Sequence, residues 1–160
     1  MFRRLALITA MVLSASYAFA ASSDEILGVW MTEGESATVE IVKEGDAYMG
    51  KIIALKEPLT QAGQPKKDVN NPDASKRNDP IIGLTMVWGF KFDEKKGAWV
   101  NGNIYDPEEG KSYYCKATIE DGKLMVRGSL GKLGLAGRTD IWTRKTAGAI
   151  PATVVPLVKE

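Results

Sequence analysis

The feature that most constrains this chain is a succession of short runs in which apolar and polar residues alternate between turn residues. A period of two is typical of strands with one buried face, and downstream of residue 20 no stretch has the spacing of a long amphipathic helix. Glycine, proline, asparagine and aspartate recur between the runs, as hairpin turns require. The runs predict eight strands, over residues 27–32, 38–43, 47–55, 84–93, 98–105, 111–119, 123–129 and 135–144.

Nearly all of these strands are joined by connections of hairpin length, which favours an antiparallel order that follows the sequence. Such a meander leaves two unpaired edges unless its last strand pairs with its first. We therefore predict an all-β fold, an eight-stranded antiparallel up-and-down barrel whose interior is filled by side chains or holds one small ligand. The alternative is a two-sheet sandwich, which usually needs longer crossings than this chain has outside residues 56–80.

The first twenty residues have the pattern of a removable export signal. Arg3 and Arg4 precede an apolar stretch over residues 5–13, and Ala18-Phe19-Ala20 places small residues where a signal peptidase cuts. A membrane-spanning helix would need about twenty apolar residues, more than this stretch provides. We expect a signal peptide over 1–20, one barrel domain over 21–145 and a flexible tail over 146–160, in a protein that is periplasmic or secreted.

The charges are balanced and interspersed, with 21 Lys and Arg against 20 Asp and Glu. Nucleic acid or an anionic membrane would require a clustered basic face. The sequence therefore predicts no nucleic-acid partner and no membrane insertion.

The sequence contains no histidine. The absence of histidine excludes nucleophile activation by a Ser-His-Asp or Cys-His arrangement and excludes a His-ligated zinc site. It also leaves the chain without the side chain whose ordinary pKa lies nearest neutrality. Acidic residues are plentiful, but their spacing singles out no pair for acid–base catalysis. We predict a non-enzymatic protein without a cofactor; a hydrolase or isomerase that uses acids is the alternative.

A Gly-x-Trp sequence, Gly28-Val29-Trp30, opens the first strand, and Arg144 ends the last. Because the last strand runs antiparallel to the first, its end lies beside the first strand's start, which makes Arg144 the natural cation–π partner of Trp30. These two elements resemble those of the lipocalins. The resemblance implies that Trp30 plugs the closed end of the barrel, with Gly28 at the strand's mouth, and that Arg144 packs across the plug.

A more specific resemblance lies in the middle of the chain. It is carried by Asp68-Val69-Asn70-Asn71-Pro72-Asp73, by Arg77-Asn78-Asp79-Pro80-Ile81-Ile82-Gly83-Leu84, and by Gly102-Asn103-Ile104-Tyr105-Asp106-Pro107-Glu108-Glu109-Gly110-Lys111-Ser112-Tyr113. Together they resemble domain-of-unknown-function family 2147 (DUF2147), over roughly Ile26 to Arg144. The resemblance implies a small exported bacterial protein with a lipocalin-like (calycin) barrel, and it implies no reaction.

The last strand supplies candidate ligand-binding residues. Arg138, Asp140, Trp142 and Arg144 share one face of it by alternation. A buried arginine is costly unless paired, and Asp140 is its obvious partner. Three interpretations stand open: Arg138 anchors a carboxylate or another anionic headgroup inside the barrel, Arg138 and Asp140 form a structural pair, or the alternation slips and both face water.

Other strands add interior candidates. Tyr113 and Cys115 lie on the apolar phase of their strand. The Cys115 thiol is either a nucleophile that faces a ligand cavity or a small buried core residue, and no adjacent base or cation lowers its pKa. Trp88 is placed on one face with Phe90 and Phe92, which either lines a cavity or packs it shut.

The polar, proline-containing segment 56–80 is longer than structureless connections usually are, and we expect it to cover one end of the barrel as a lid. Its oxygen-bearing side chains partly follow a calcium loop, but Asp73 and Asp79 stand where an EF-hand has glycine and glutamate, so no metal is assigned. The other interpretation is that Asn70, Asn71 and Asp73 form Asx turns around Pro72, with Arg77 paired to one of these acids. The residues concerned are Asp68, Asn70, Asn71, Asp73, Arg77 and Asp79.

Two hypotheses of function follow. In the first, the chain is an exported carrier or sensor that binds a small amphipathic or anionic molecule inside the barrel. In the second, it is a protein-interaction module, such as an inhibitor or an envelope accessory protein, that uses the lid loop and the barrel rim. The interior volume distinguishes them, because an open interior favours a ligand and a packed one favours interaction.

Overall fold

The structure, a computed structural model, describes residues 22–145, so the predicted export signal and tail lie outside the described residues. The strands are β1 (Gly28–Met31), β2 (Ala37–Glu44), β3 (Ala47–Leu55), β4 (Thr85–Asp93), β5 (Ala98–Asp106), β6 (Lys111–Glu120), β7 (Lys123–Ser129) and β8 (Gly137–Arg144). Short 3₁₀ turns lie at Glu33–Glu35 and Ala74–Lys76.

All eight predicted strands are present, and the main difference is the start of β8. It begins at Gly137 rather than at residue 135, because the backbone N–H of Leu130 donates to the carbonyl of Ala136 and closes a loop over 130–136. In residues 22–145, no helix is long and apolar enough to span a membrane.

The strands pair antiparallel in sequence order, and the sheet closes on itself as a barrel. Closure is made by β1 and β8, which pair Trp30 with Arg144 and Met31 with Thr143. The predicted all-β, eight-stranded barrel is confirmed, and the two-sheet sandwich is excluded. Closure removes the two strand edges that an open meander would expose.

The two ends of the barrel differ in their connections. One end, here called the closed end, carries turns of two to four residues at 45–46, 94–97 and 121–122. The other, here called the open end, carries the connections 32–36, 56–84, 107–110 and 130–136. The chain segment before β1 also lies at the closed end, because β1 starts there.

Toward the closed end the interior is filled with large side chains, and cross-strand neighbours show how the inward layer is built. Trp99 pairs with Ala117, Ala117 with Val126, and Val126 with Asp140, so these four residues lie on the same inward face. All but Asp140 are buried. The largest fully buried side chains are Trp30, Trp99, Trp142, Tyr48 and Phe90.

A bulge in β4 changes which of its side chains share a face. Val87 and Phe90 are both buried, because the pairing with β3 shifts register between them and Gly89 adopts a φ of 77°. Trp88 pairs with Asn103 of β5, which pairs with Tyr114 of β6, so the three side chains lie on the same face of the sheet. Tyr114 is exposed. The prediction that Trp88 shares one face with Phe90 is therefore wrong, and Trp88 lies on the outer side of the barrel.

Candidate functional site

The closed end is sealed by a tryptophan and an arginine. Trp30 is fully buried, and its Nε1 donates a hydrogen bond of 2.8 Å to the carbonyl of Ile26. The guanidinium carbon of Arg144 lies 4.1 Å from the centroid of the Trp30 ring, so the predicted cation–π contact is present. The Arg144 side chain also donates to the carbonyls of Leu27 and Glu25, which fixes the chain before β1 beneath the barrel.

Gly28 is required at this end for steric reasons. Its φ of 112° is one that residues with a side chain rarely adopt, and an added Cβ would lie 3.1 Å from Nη1 of Arg144. The segment before β1 is held further by Trp99, whose Nε1 donates to the carbonyl of Ser23 at 3.0 Å, and by Tyr48, whose hydroxyl donates to Asp24 at 2.8 Å. These contacts close this end of the barrel.

A cavity of about 250 Å³ lies at the open end. Apolar atoms of Met86, Ile104 and Val126 form part of its wall. Gly128 and Gly137 also line it. Gly128 leaves room because it has no side chain, whereas at Gly137 the backbone of Gly128 approaches too closely for a Cβ. A Cβ added at Gly128 would lie 3.5 Å from Cγ2 of Ile104, an ordinary van der Waals distance. The remaining lining residues are Tyr105, Asp106, Glu109, Tyr113, Arg138 and Asp140.

Arg138 and two carboxylates form one side of the cavity mouth. Nε of Arg138 lies 2.9 Å from Oδ1 of Asp140, and its Nη2 lies 3.6 Å from Oε2 of Glu33 in the β1–β2 connection. Oδ1 of Asp140 is itself buried and has no well-aligned hydrogen-bond donor among the described residues. At the cavity wall this oxygen is therefore held by its ion pair with the Arg138 guanidinium.

The position of Arg138 corrects the prediction that its guanidinium lies inside the barrel. The side chain is 81% exposed. Because β8 begins at Gly137, Arg138 is only its second residue and lies at the rim, where Glu33 is within reach. Of the interpretations left open, the Arg138–Asp140 pair is present, with Asp140 facing inward and Arg138 facing solvent.

Burial raises the pKa of the Asp140 carboxyl above its ordinary value of 3.8. The side chain of Glu33 raises this pKa further, and the positive charge of Arg138 opposes the shift. The open end thus holds a carboxyl group that takes up a proton more readily than an exposed aspartate does.

Tyr113 and Glu109 also line the cavity. The Tyr113 hydroxyl donates to Oε2 of Glu109, which lowers the pKa of that carboxyl and raises the pKa of the tyrosine. Asp106 accepts hydrogen bonds from the backbone N–H groups of Glu108 and Glu109. Among the lining residues three carboxylates face one arginine, so the mouth carries more negative than positive charge.

Comparison with protein families decides where the chain belongs. Residues 28–144 match the family described as "Uncharacterized protein conserved in bacteria (DUF2147)". The chain is a member of DUF2147.

Among solved structures, this DUF2147 barrel is similar to protein HP1028 from Helicobacter pylori, which is described as belonging to the lipocalin family. The similarity has a TM-score of 0.65 and 23% sequence identity, and it covers 76% of this chain and 83% of the other. It establishes a lipocalin-like fold. Comparison with curated proteins gives no match.

Cys115 of this DUF2147 protein points inward, as its strand phase indicated, and is 4% exposed. Burial raises the pKa of its thiol to about 12, and the nearby Asp140 carboxylate acts in the same direction. A nucleophilic thiolate is therefore scarce near neutral pH, and of the two interpretations the geometry favours a buried core residue.

Neither predicted tryptophan lines the open-end cavity. Trp142 is fully buried in the core, and its Nε1 has no hydrogen-bond partner among the described residues. Trp88 instead borders an outer groove of about 630 Å³ between segment 56–84 and the β4–β6 wall.

Segment 56–84 is anchored to the outer wall of the DUF2147 barrel by a buried carboxylate. Asp68 is 1% exposed, and its Oδ1 accepts a hydrogen bond of 2.8 Å from the hydroxyl of Tyr105. Its Oδ2 accepts a second bond of 2.6 Å from the Asn71 side chain. Burial raises the pKa of Tyr105 to about 12, and the hydrogen bond to Asp68 adds to the shift.

The same segment is joined to the β5–β6 turn. The Asn70 side chain donates to the carbonyl of Glu108 at 2.8 Å, and a Cβ at Gly110 would lie only 2.0 Å from the carbonyl oxygen of Asn70. None of the residues that line the open-end cavity comes from 56–80. The predicted lid across the barrel end is thus corrected to a strap on the outer wall, because its buried polar contacts lie with Tyr105 and Glu108.

The two interpretations of the polar residues in this strap can be compared with its contacts. Oδ1 of Asn71 accepts from the backbone of Asp73, and Oδ1 of Asp73 accepts from Ser75, so two of the three predicted Asx turns form. Asn70 makes no such turn. Arg77 donates to the carbonyl of Asn71 rather than pairing with an acid.

The residues 22–145 contain no group of three Asp, Glu, Cys or His side chains arranged to hold a metal ion. The oxygens of Asp68 serve the hydrogen bonds to Tyr105 and Asn71 instead.

Several residues at the mouth were not identified from the sequence. Glu33 lies in a connection without alternation, so nothing indicated that it would face β8. Gly128, in contrast, could have been identified from the sequence, since an isolated glycine inside a strand often marks a site where a ligand or another backbone approaches closely. Ile104 and Val126 follow from strand alternation once the register is known.

Proposed function

We propose that this protein is an exported, non-enzymatic carrier or sensor that binds a small amphipathic molecule in the open-end cavity. The observation that carries the proposal is a barrel sealed at one end with an apolar-walled cavity at the other. Export is supported by the signal-like residues 1–20, and N-terminal sequencing of released protein should find Ala21 first.

The cavity volume limits the size of the ligand. About 250 Å³ lies below the roughly 300–1,000 Å³ of pockets for drug-sized ligands, but above the roughly 150 Å³ that admits benzene in an engineered cavity. The bound part of the ligand is therefore a short apolar chain or a single ring, and a longer molecule would extend through the mouth.

The polar groups of the mouth favour a headgroup that both donates and accepts hydrogen bonds. Arg138 supplies donors, and Asp140 supplies a buried carboxylate oxygen as an acceptor. An amide, a hydroxyl or a neutral carboxylic acid can satisfy both. A fully ionised anion, which the sequence suggested, is less well matched because Asp106, Glu109 and Asp140 outnumber Arg138.

The proposal is tested by filling the cavity. Gly128→Leu projects a side chain into it, whereas Gly128→Ala adds only a Cβ at an unstrained distance and is the matched control. Medium-chain alkyl amides, carboxylates and amines are titrated by calorimetry into the three proteins. We expect the wild type and Gly128→Ala to bind amides best and Gly128→Leu to bind none of the compounds.

A second variant tests the mouth. Arg138→Met should weaken binding by about 1.5–3 kcal/mol, the usual value of a hydrogen bond to a charged group. Native mass spectrometry of protein purified from its host would show the natural ligand. If no molecule co-purifies, and Gly128→Leu behaves like wild type with every compound, the cavity is not a binding site.

A further inference from the structure

The connection between β7 and β8 carries the most exposed large apolar side chains in the described part of the chain. Leu130, Leu133 and Leu135 are 75%, 86% and 87% exposed. Single exposed leucines are normal on soluble proteins, but here three lie within one short loop. We call residues 130–136 the leucine loop.

This exposure does not come from a loosely held backbone. The N–H of Leu130 donates to the carbonyl of Ala136 at 3.0 Å, and the N–H of Gly134 donates to the carbonyl of Gly131 at 2.9 Å. Nη2 of Arg127 also donates to the carbonyl of Gly134 at 2.9 Å. Because these bonds occupy backbone groups of the loop, it presents leucine side chains rather than an unpaired strand edge.

We propose that the leucine loop inserts shallowly into the surface of a phospholipid bilayer. Three leucine side chains offer a few hundred Å² of apolar surface, whereas a stable protein interface takes roughly 800 Å² from each partner. A bilayer sets no such minimum, since fluid acyl chains pack around a small apolar projection. The size of the apolar surface therefore favours lipid over a folded partner or a second copy of the chain.

The surrounding charges determine the kind of lipid contact. Lys132 lies in the loop, and Arg127 donates to the loop backbone. Arg138 is paired with Glu33 and Asp140, and Lys111 is paired with Glu109. Asp106 adds a further carboxylate at the cavity mouth. The open end is therefore not a basic face. Apolar insertion carries the binding, which should depend little on salt or on the fraction of anionic lipid.

The position of the loop connects it to the cavity. It leads directly into Gly137 and Arg138, which line the cavity mouth. A barrel held by the leucine loop faces the bilayer with its open end, so an amphipathic molecule can pass between bilayer and cavity. This exchange rests on the proposed function, whereas the lipid contact itself does not.

The first experiment is co-sedimentation of the full chain, in the form that its host releases, with vesicles of phosphatidylcholine alone or mixed with phosphatidylglycerol. Leu133→Ala/Leu135→Ala should lower partitioning about tenfold or more on both, because two inserting side chains are truncated. The matched control, Val42→Ala/Ile141→Ala, truncates two less exposed apolar side chains on the barrel wall and should partition like wild type.

A fluorescent probe then locates the contact. An added Cβ at Gly131 has open space around it, so Gly131→Cys accepts an environment-sensitive fluorophore, while the native Cys115 is buried. The control label is placed by Glu44→Cys at the closed end. We expect vesicles to shift the emission to the blue at residue 131 and not at residue 44.

Equal partitioning of the wild type and the leucine variant, or no spectral shift at residue 131, would overturn the proposal. A dimer in lipid-free ultracentrifugation that the leucine variant abolishes would also overturn it, because the loop would then bind a second copy. Gly128→Leu separates this inference from the proposed function, since filling the cavity should leave vesicle binding unchanged.

Discussion

The plug at the closed end predicts unequal costs for removing its two members. Trp30 is fully buried, so Trp30→Ala leaves a cavity and should cost about 3–5 kcal/mol. Arg144 lies over the ring but is exposed, so Arg144→Ala loses a cation–π contact of about 0.5–1 kcal/mol. It also loses hydrogen bonds to two carbonyls that water can partly replace, which brings the expected total to about 1–2 kcal/mol.

The assay is urea unfolding of the wild type, the two single variants and the double variant, followed by circular dichroism. The double-mutant cycle should give a coupling of about 0.5–1 kcal/mol between Trp30 and Arg144. Lys91→Ala is the control, since Lys91 is an exposed cation on the barrel wall whose partner is Asp46. Its coupling to Trp30 should be close to zero.

The reasoning is refuted if Arg144→Ala costs as much as Trp30→Ala, or if Arg144 shows no more coupling to Trp30 than Lys91 does. Where Trp30→Ala yields too little folded protein, Trp30→Leu replaces it in the cycle, because it removes the aromatic face and keeps most of the apolar volume.

Three further outcomes are expected. Tyr105→Phe leaves buried Asp68 without one donor and should cost about 1–3 kcal/mol in urea unfolding, whereas Tyr113→Phe at the exposed mouth should cost less. Asp140→Asn should raise the free energy of unfolding at neutral pH, because the folded protein favours the protonated form of Asp140. The gain over wild type should disappear as the pH falls through the raised pKa of Asp140, and a gain that persists in acid would contradict this. Cys115 should resist alkylation at pH 8 until the protein unfolds, and rapid labelling of the folded protein would show that the thiol is accessible.

The parts of the fold that the sequence predicted depend on local signals. Alternation and turn residues located every strand, and the antiparallel order then placed Arg144 beside Trp30 without any knowledge of side-chain positions. The inward direction of Cys115 followed from the same alternation. These inferences needed only the strand period and the order of the strands.

The parts that were missed depend on departures from that period or on contacts distant in sequence. Because of the bulge at Gly89, Trp88 faces outward and not inward as predicted. Because β8 begins only at Gly137, Arg138 lies at the rim and not inside the barrel. The bond between Asp68 and Tyr105 joins a strap to a strand, and no local pattern records such a pair.

The short seam between β1 and β8 also has a kinetic consequence. Every other pair of neighbouring strands is adjacent in sequence, and most are hairpins that can form early from local contacts. The seam joins the two strands that are farthest apart along the chain, with two paired positions, so it forms last and opens most readily. Amide hydrogens of β1 should then exchange with solvent sooner than those of the β2–β3 hairpin, and brief opening there would expose two strand edges through which neighbouring chains could trade strands.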